Sequence, residues 1–596
     1  MVIAVGLFVW PVLCNLSSCV GGREFSEVWG HLWAYWIFPH MLFVRHAWPL
    51  WIDIVNVPEG LFLYPADPLH LIVVTAFRSV LGLVAAYNVL MIGALLLTAW
   101  ATYLLAYELC RVRKLAVVAG IMVALSPYLR ASYIDNYTES MGVYWIALVF
   151  LNLVLNCRSP SVKRGVFGGL LFAGLFYTNM YYTVVTGVGY VAAAVWSVLL
   201  ERRRRGFRLL VLTCAPVVGL ILSVPGILLF MNTEPGRVSE GDILAEFVKS
   251  ARVPISVPSE SEWSYAVRIA AESASRDHAW FHSPGSVDMA AYLPPSGETQ
   301  FAHPKGLLCA VYPGLLAQLC LGVFLVVRRK RLGGFFIAAM LAGLLSLGIF
   351  PSWQGSPLIV HDARPMAGPF YWLVNVFPFF SDLTQTYRFS VIVTLLASCA
   401  AAVVASRLWR RGTYGRWLGG LLMVGCFADT LLFGMVPFPV PTVTTAVNPA
   451  FEWIRAREDA SMVLEWPSWK ENETCDGNRV PAEKAQYHQT LHQHPIGPFA
   501  DVGGLQWMEL APGLFWNLAA LTPLSPRPQC ARPEGDGCSA RERKKMAALG
   551  YGYFVAHMWA VDPMDRDGVK HCLIQWFGKP ESFSGDVDVY TIAEGS

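Results

Sequence analysis

Charge is what this chain has least of. Asp, Glu, Lys and Arg together make only 15% of its 596 residues, where a soluble globular chain carries about a quarter. With 55% hydrophobic residues, that scarcity excludes an ordinary soluble protein. The formal net charge of +3 falls in short basic clusters rather than along one face, which excludes a nucleic-acid-binding surface. Missing as well are a Walker A loop, a Rossmann glycine fingerprint and a serine elbow in the strand–turn–helix context each requires. Nucleotide-dependent and serine-hydrolase chemistry therefore have no motif to rest on.

What the chain does have is apolar runs long enough to cross a bilayer, which takes roughly 20 helical residues. Basic clusters punctuate them: "RVRK" (111–114), "RSPSVKR" (158–164), "RRRRGFR" (202–208), "RRKR" (328–331) and "RLWRRGTYGR" (407–416). Short loops rich in Lys and Arg stay cytoplasmic. The runs predict spans near 2–20, 83–109, 115–129, 140–156, 165–181, 182–200, 209–231, 307–327, 333–350, 389–406 and 418–436. The fold class is thus an all-α polytopic membrane protein of about eleven transmembrane helices, N-terminus inside and C-terminus outside. The first run has no basic n-region or cleavage signal and is expected to be retained.

This topology puts the polar mass on the outer face, in loops 21–82, 232–306 and 351–388 of a membrane domain, 1–436, and in a tail, 437–596. In the first loop, "FSEVWGHLWAYWIFPHML" sets Trp29, Leu32, Trp33 and Trp36 at helical spacing, which suits a helix lying among lipid headgroups. An acidic, proline-pinned segment follows, "WPLWIDIVNVPEGLFLYPADPLH", with Asp53, Glu59 and Asp67. The tail alternates β-rich runs ("ASMVLEWP", "GYGYFVAHMW", "VDVYTI") with helical ones ("PAFEWIRARED", "SARERKKMAALG"), a small extracytoplasmic α+β domain. Its Cys475, Cys530, Cys538 and Cys572 suit two disulfides in an oxidising compartment, with three pairings open. Cys530 with Cys538 is preferred, because "ARPEGDG" between them permits a tight return, which leaves Cys475 with Cys572.

Individual residues are weighed against blander roles. In "YHQTLHQHP", His488 and His492 are four apart beside His494, as in zinc-binding helices, but the motif offers no third ligand or general-base Glu. "DHAWFH", with His278 and His282, has the same lack. The sequons at Asn15, Asn136 and Asn472 are short enough to arise by chance. More informative are charges at the outer ends of spans. Asp135 and Glu139 in "SYIDNYTES" are spaced to share one helix face. Arg130 ends one span and Arg388 opens another; each is placed to bind a phosphate bidentately or simply to snorkel.

The run "SEVWGHLWAYW…HAWPLWIDIVNVPEG…AYNVL…LSPYL", continued in "GLFYTNMYY", "SVDMAAYLPPS", "FPFFSDLTQTYRFS" and "YHQTLHQHPIGPF", resembles the GT-C glycosyltransferase superfamily, near its YfhO-like and dolichyl-phosphate-mannose mannosyltransferase-like branches. The resemblance covers most of the chain as scattered short motifs. It implies a bacterial inner-membrane transferase moving a sugar from a polyprenyl-phosphate donor to a periplasmic or cell-surface glycan, lipid or protein acceptor, with inversion. The family hallmark is an acid in the first outer loop, about six positions before the Trp of the interfacial helix. Counting back from Trp33 reaches Glu27; Glu24 is reached if Trp29 sets the register. The family acid is usually Asp, so Glu is a departure. As general base it would take the acceptor proton, while an Arg stabilises the leaving phosphate. Asp53 matches a commonly acidic position, with Glu59 in the turn after it, and both are expected to orient substrate alongside Asp135, Glu139, Arg130 and Arg388. No cofactor is required by these motifs, and a divalent cation stays open. The alternative is a non-enzymatic protein of the same fold, a lipid-linked-glycan transporter or an envelope assembly partner.

Overall fold

The apolar runs form helices in the computed structural model of the chain. It describes residues 1–231, 287–293, 310–469, 480–496 and 544–592, apart from short stretches inside those ranges. The chain divides into two compact units, one of Met1–Ser26 with Ala66–Val443 and one of Glu27–Pro65 with Thr444–Ser596.

In the first unit six helices are long and apolar enough to cross a membrane: Leu83–Cys110, Thr138–Arg158, Met180–Leu199, Gly206–Leu229, Thr386–Trp409 and Thr413–Phe433. A seventh results if Arg113–Ala124 and Pro127–Ile134, bent by 41° at their junction, form one broken span. The chain is therefore a largely helical, multi-pass design with fewer full spans, among the described residues, than the eleven expected.

The missing spans have local causes. Residues 2–20 break into Val2–Phe8 and Trp10–Cys14, the second helix carrying Pro11 in its first turn, where a missing N–H costs nothing. Val162–Phe176 has 15 residues, about 22 Å of helix against a hydrocarbon core of about 30 Å. The two spans expected at 307–327 and 333–350 are one continuous helix, Leu315–Ser346. Lys and Arg are good helix formers, so the basic cluster between the apolar halves does not interrupt it.

Thr386–Trp409 is the central helix, with 94% of its apolar window buried against 28% for Thr413–Phe433. Small residues allow close crossings. A Cβ at Gly169 would meet the Val218 side chain at 2.5 Å, so helix Val162–Phe176 can pack on Arg205–Met231 only through glycine. An acid in this apolar setting has a structural task. Asp429 accepts the Leu316 N–H and the Tyr312 hydroxyl, both at 2.8 Å, satisfying donors at the start of helix Leu315–Ser346 that have no carbonyl of their own.

The second unit is α+β. Its four-stranded sheet runs in the order Glu581–Phe583, Val587–Thr591, Tyr551–His557, Met462–Trp466, the last pair parallel and the others antiparallel. Alternation along Tyr551–His557 feeds two cores. Phe554 and Ala556 join Leu573 and Phe577 of helix Arg566–Phe577. Tyr553 and Val555 join Phe451 and Ile454 of helix Pro449–Arg455.

The tryptophan helix of the first loop is real, Val28–Phe43, but its indoles face protein rather than lipid headgroups. Trp29, Trp33 and Trp36 are buried. The Trp33 Nε1–H donates to Gln489 Oε1 at 2.9 Å, and the Trp29 ring lies 5.0 Å from that of Tyr487, both partners on helix Ala482–His492. The helix is apolar nearly all round, which marks burial and not an interfacial stripe.

Candidate active site

The chain's charged residues converge on one turn of the first unit. Helix Pro127–Ile134 ends at Asp135, and Asn136 turns the chain with φ of 62°, a left-handed conformation that Asn tolerates. A 3₁₀ turn, Thr138–Met141, then leads into helix Val143–Arg158. Asp135 and Glu139 are thus not on one helix face, as their spacing suggested, because the helix stops between them. Each instead pairs with a different arginine.

Glu139 meets Arg388, from the 3₁₀ turn Thr386–Phe389 that opens the central helix. Arg388 Nη2 donates to Glu139 Oε1 at 2.6 Å, with the Arg and Glu side chains 4% and 12% exposed. The guanidinium also stands over the Tyr181 ring, 4.9 Å from its centroid, a cation–π contact. Its Nε is buried and has no partner among the described residues. Hydrogen bonds fix the surrounding backbone: Asn179 Nδ2 donates to the Glu139 carbonyl at 3.0 Å, Tyr182 to the Ser140 carbonyl at 2.8 Å, and Tyr128 and Tyr182 hydroxyls lie 2.7 Å apart.

Asp135 pairs with Arg23. Beside it, Asn136 Nδ2 donates to the Gly21 carbonyl at 3.0 Å and Ser26 Oγ at 3.1 Å, while its Oδ1 accepts the Tyr87 hydroxyl at 2.8 Å. Segment 21–26, which carries Glu24, is therefore pinned to the acidic turn from both ends. Glu27 begins the other unit at the N-cap of Val28–Phe43, half-buried, its carbonyl accepting the His31 N–H at 3.1 Å.

Arg130 is engaged with backbone. Fully buried, it donates to the carbonyls of Val436 at 2.7 Å and Leu125 at 3.1 Å. Asp53 is exposed and pairs with Arg45 at 3.1 Å. Glu59, Cys475, Cys530 and Cys538 lie outside the described residues, as does the side chain of Cys572 in helix Arg566–Phe577.

One constellation escaped sequence reading. Asp67 Oδ2 lies 3.1 Å from His70 Nδ1, and His70 Nε2 lies 3.2 Å from the Tyr144 hydroxyl, with Asp67 and His70 buried. A carboxylate that orients an imidazole is a proton-handling arrangement. The available signal was the i, i+3 spacing of Asp67 and His70 across the start of helix Pro68–Leu81.

No family model matches this chain, nor does any curated protein. Solved structures do. The Archaeoglobus fulgidus oligosaccharyltransferase, in a complex with Zn and sulfate, is similar over 96% of this chain and 68% of its own, with 13% identity and a TM-score of 0.48. The archaeal oligosaccharyltransferase AglB of the same organism, bound to an inhibitory peptide and a dolichol-phosphate, is similar over 94% and 68%, with 11% identity and a TM-score of 0.46. The mycobacterial arabinofuranosyltransferase AftD is similar over 97% of this chain and 42% of its own, with 14% identity and a TM-score of 0.48. At such scores the likeness says nothing of substrate or reaction.

Proposed function

We propose that the chain is a bacterial inner-membrane glycosyltransferase of the GT-C type, which moves a sugar from a polyprenyl-phosphate donor to a cell-envelope acceptor. The observation that carries this reading is Arg388. A guanidinium buried at the end of the central helix, steadied by Glu139 and Tyr181, keeps a buried Nε–H without a partner among the described residues. Leaving a buried donor unmade is costly, and an anionic oxygen would satisfy it with a charge-assisted bond. The setting, a helix apolar enough to span the membrane, supports a lipid-linked donor.

Sugar transfer from such a donor breaks the bond between the anomeric carbon and the phosphate oxygen as the acceptor oxygen attacks from the opposite face. The electron pair leaves with the phosphate, where Arg388 offsets the developing charge. The acceptor proton goes to a carboxylate acting as general base, for which Glu27 is the first candidate and Glu24 the second, both on the register of the resemblance. Asp53, Asp135 and Glu139 orient substrate or hold arginines in place. The basic clusters at 111–114, 158–164, 202–208 and 407–416 are read as cytoplasmic and the second unit as extracytoplasmic.

Binding tests the first step alone. Purified protein in nanodiscs should bind a polyprenyl phosphate, and Arg388→Ala should weaken that binding about 10- to 100-fold, the range of one hydrogen bond to a charged group. Equal binding by wild type and variant would remove the basis of the donor assignment.

A further inference from the structure

We propose that Glu465, His488 and His557, in the second unit, form a binding site for a divalent transition-metal ion, with Zn²⁺ as its occupant. The site is independent of the transferase reading.

Three elements build it. Glu465 lies on strand Met462–Trp466 in parallel register with Val555 of strand Tyr551–His557, so His557, two residues on, stands on the same face of the sheet. Helix Ala482–His492 brings His488 over that face. His488 Nδ1 and His557 Nε2 are each 2.8 Å from Glu465 Oε2, and the ligand atoms of all three residues lie within 4.8 Å of one another. The imidazoles are held in place by aromatic packing. Phe451 stacks on His488 with centroids 3.9 Å apart, and the two histidine rings stack at 5.7 Å.

A hydrogen-bonded polar core would account for Oε2 but not for Oε1. That oxygen is buried and has no hydrogen-bond partner among the described residues, on a side chain only 4% exposed. Buried carboxylate oxygens are rarely left so. One turn along, His492 accepts the His494 N–H on Nδ1 at 3.0 Å.

Two imidazoles and one carboxylate suit zinc and its first-row neighbours rather than Mg²⁺ or Ca²⁺, which take oxygen ligands. Bonds of about 2.0–2.2 Å in a tetrahedral site place ligand atoms about 3.3–3.5 Å apart. The cluster therefore opens by roughly half an ångström as the ion replaces the two hydrogen bonds. The three buried residues supply three of the four tetrahedral positions, the fourth falling to a water, and the ion ties helix to sheet. The sequence showed only half of this. Of the helical histidines only His488 belongs to the site, and its partners Glu465 and His557 come from strands 23 residues before and 69 after it.

Full-length protein without a histidine tag, purified in detergent without chelator, is assayed for zinc, then stripped and titrated with Co²⁺ and Zn²⁺. The wild type should carry zinc in a one-to-one ratio, show a visible Co²⁺ spectrum that Zn²⁺ abolishes, and regain on Zn²⁺ addition the Tm lost on stripping. Glu465→Gln and His557→Gln preserve approximate shape and hydrogen bonding. They should lose at least about 10- to 100-fold in affinity, the effect seen for residues merely behind a metal's ligands. His492→Asn should bind as the wild type does. A wild type without zinc and without a Co²⁺ spectrum, or variants that bind as tightly as the wild type, would overturn the site.

Discussion

Arg388 and Glu139 are 249 residues apart in the chain and 2.6 Å apart in space, joining the turn before one span to the turn that opens the central helix. The pair is almost wholly out of solvent, so each charge depends on the other. Removing one partner strands the other, a loss of about 3–5 kcal/mol, whereas replacing both by apolar residues of similar size is far milder. Glu139→Leu alone and Arg388→Met alone should therefore each destabilise the protein more than the double variant Glu139→Leu with Arg388→Met does. Thermal unfolding in detergent, run as a double-mutant cycle, checks the order. Additive losses would mean the two charges act independently.

Arg130 should prove structural rather than substrate-binding. Its guanidinium reaches the Leu125 and Val436 carbonyls from a fully buried position, a fork that the point charge of lysine does not reproduce. Arg130→Lys should cost about 1.5–3 kcal/mol for each charged hydrogen bond lost, with polyprenyl-phosphate binding per folded molecule unchanged. Weakened binding at full stability would assign it to the donor instead.

For the second unit, Trp33→Phe isolates one bond. It keeps the ring in the core but leaves the buried Gln489 Oε1 without the donor now at 2.9 Å, a loss of about 1–3 kcal/mol. The emission lost on Trp33→Phe, which isolates Trp33 among the 22 tryptophans, should be nearly untouched by an aqueous quencher in the native protein. Strong quenching would return that helix to an exposed interface.

Much of this architecture was readable from the chain, and the unread parts share a cause. Apolar runs such as 83–109 and 389–406 and the strand "GYGYFVAHMW" declare themselves, because hydropathy and period 2 are local properties. The RRKR cluster misled because charge marks a loop only when the helix also breaks. Tryptophans spaced along Val28–Phe43 look alike whether they meet headgroups or helix Ala482–His492, since the partner lies more than 400 residues away. Separations of 23 and 92 residues along the chain hid Glu465 from His488 and His557. The pairing of Asp135 and Glu139 with separate arginines was likewise invisible, because it depends on the left-handed turn at Asn136.

The central claim is transfer itself, and Glu27→Gln tests it most directly. The substitution keeps size and hydrogen bonding and removes only basicity. In proteoliposomes supplied with radiolabelled polyprenyl-phosphate sugars and envelope extract as acceptor, the wild type should move label out of the lipid-phosphate fraction. Glu27→Gln should do so about 10²–10⁴-fold more slowly, a barrier increase of about 3–5 kcal/mol, with donor binding intact. Slow transfer by Glu24→Gln with a normal Glu27→Gln would move the base by three residues. Transfer at the wild-type rate by both variants, or none by the wild type from any lipid-linked donor, would contradict the account and leave a membrane protein that carries or assembles glycans without making their bonds.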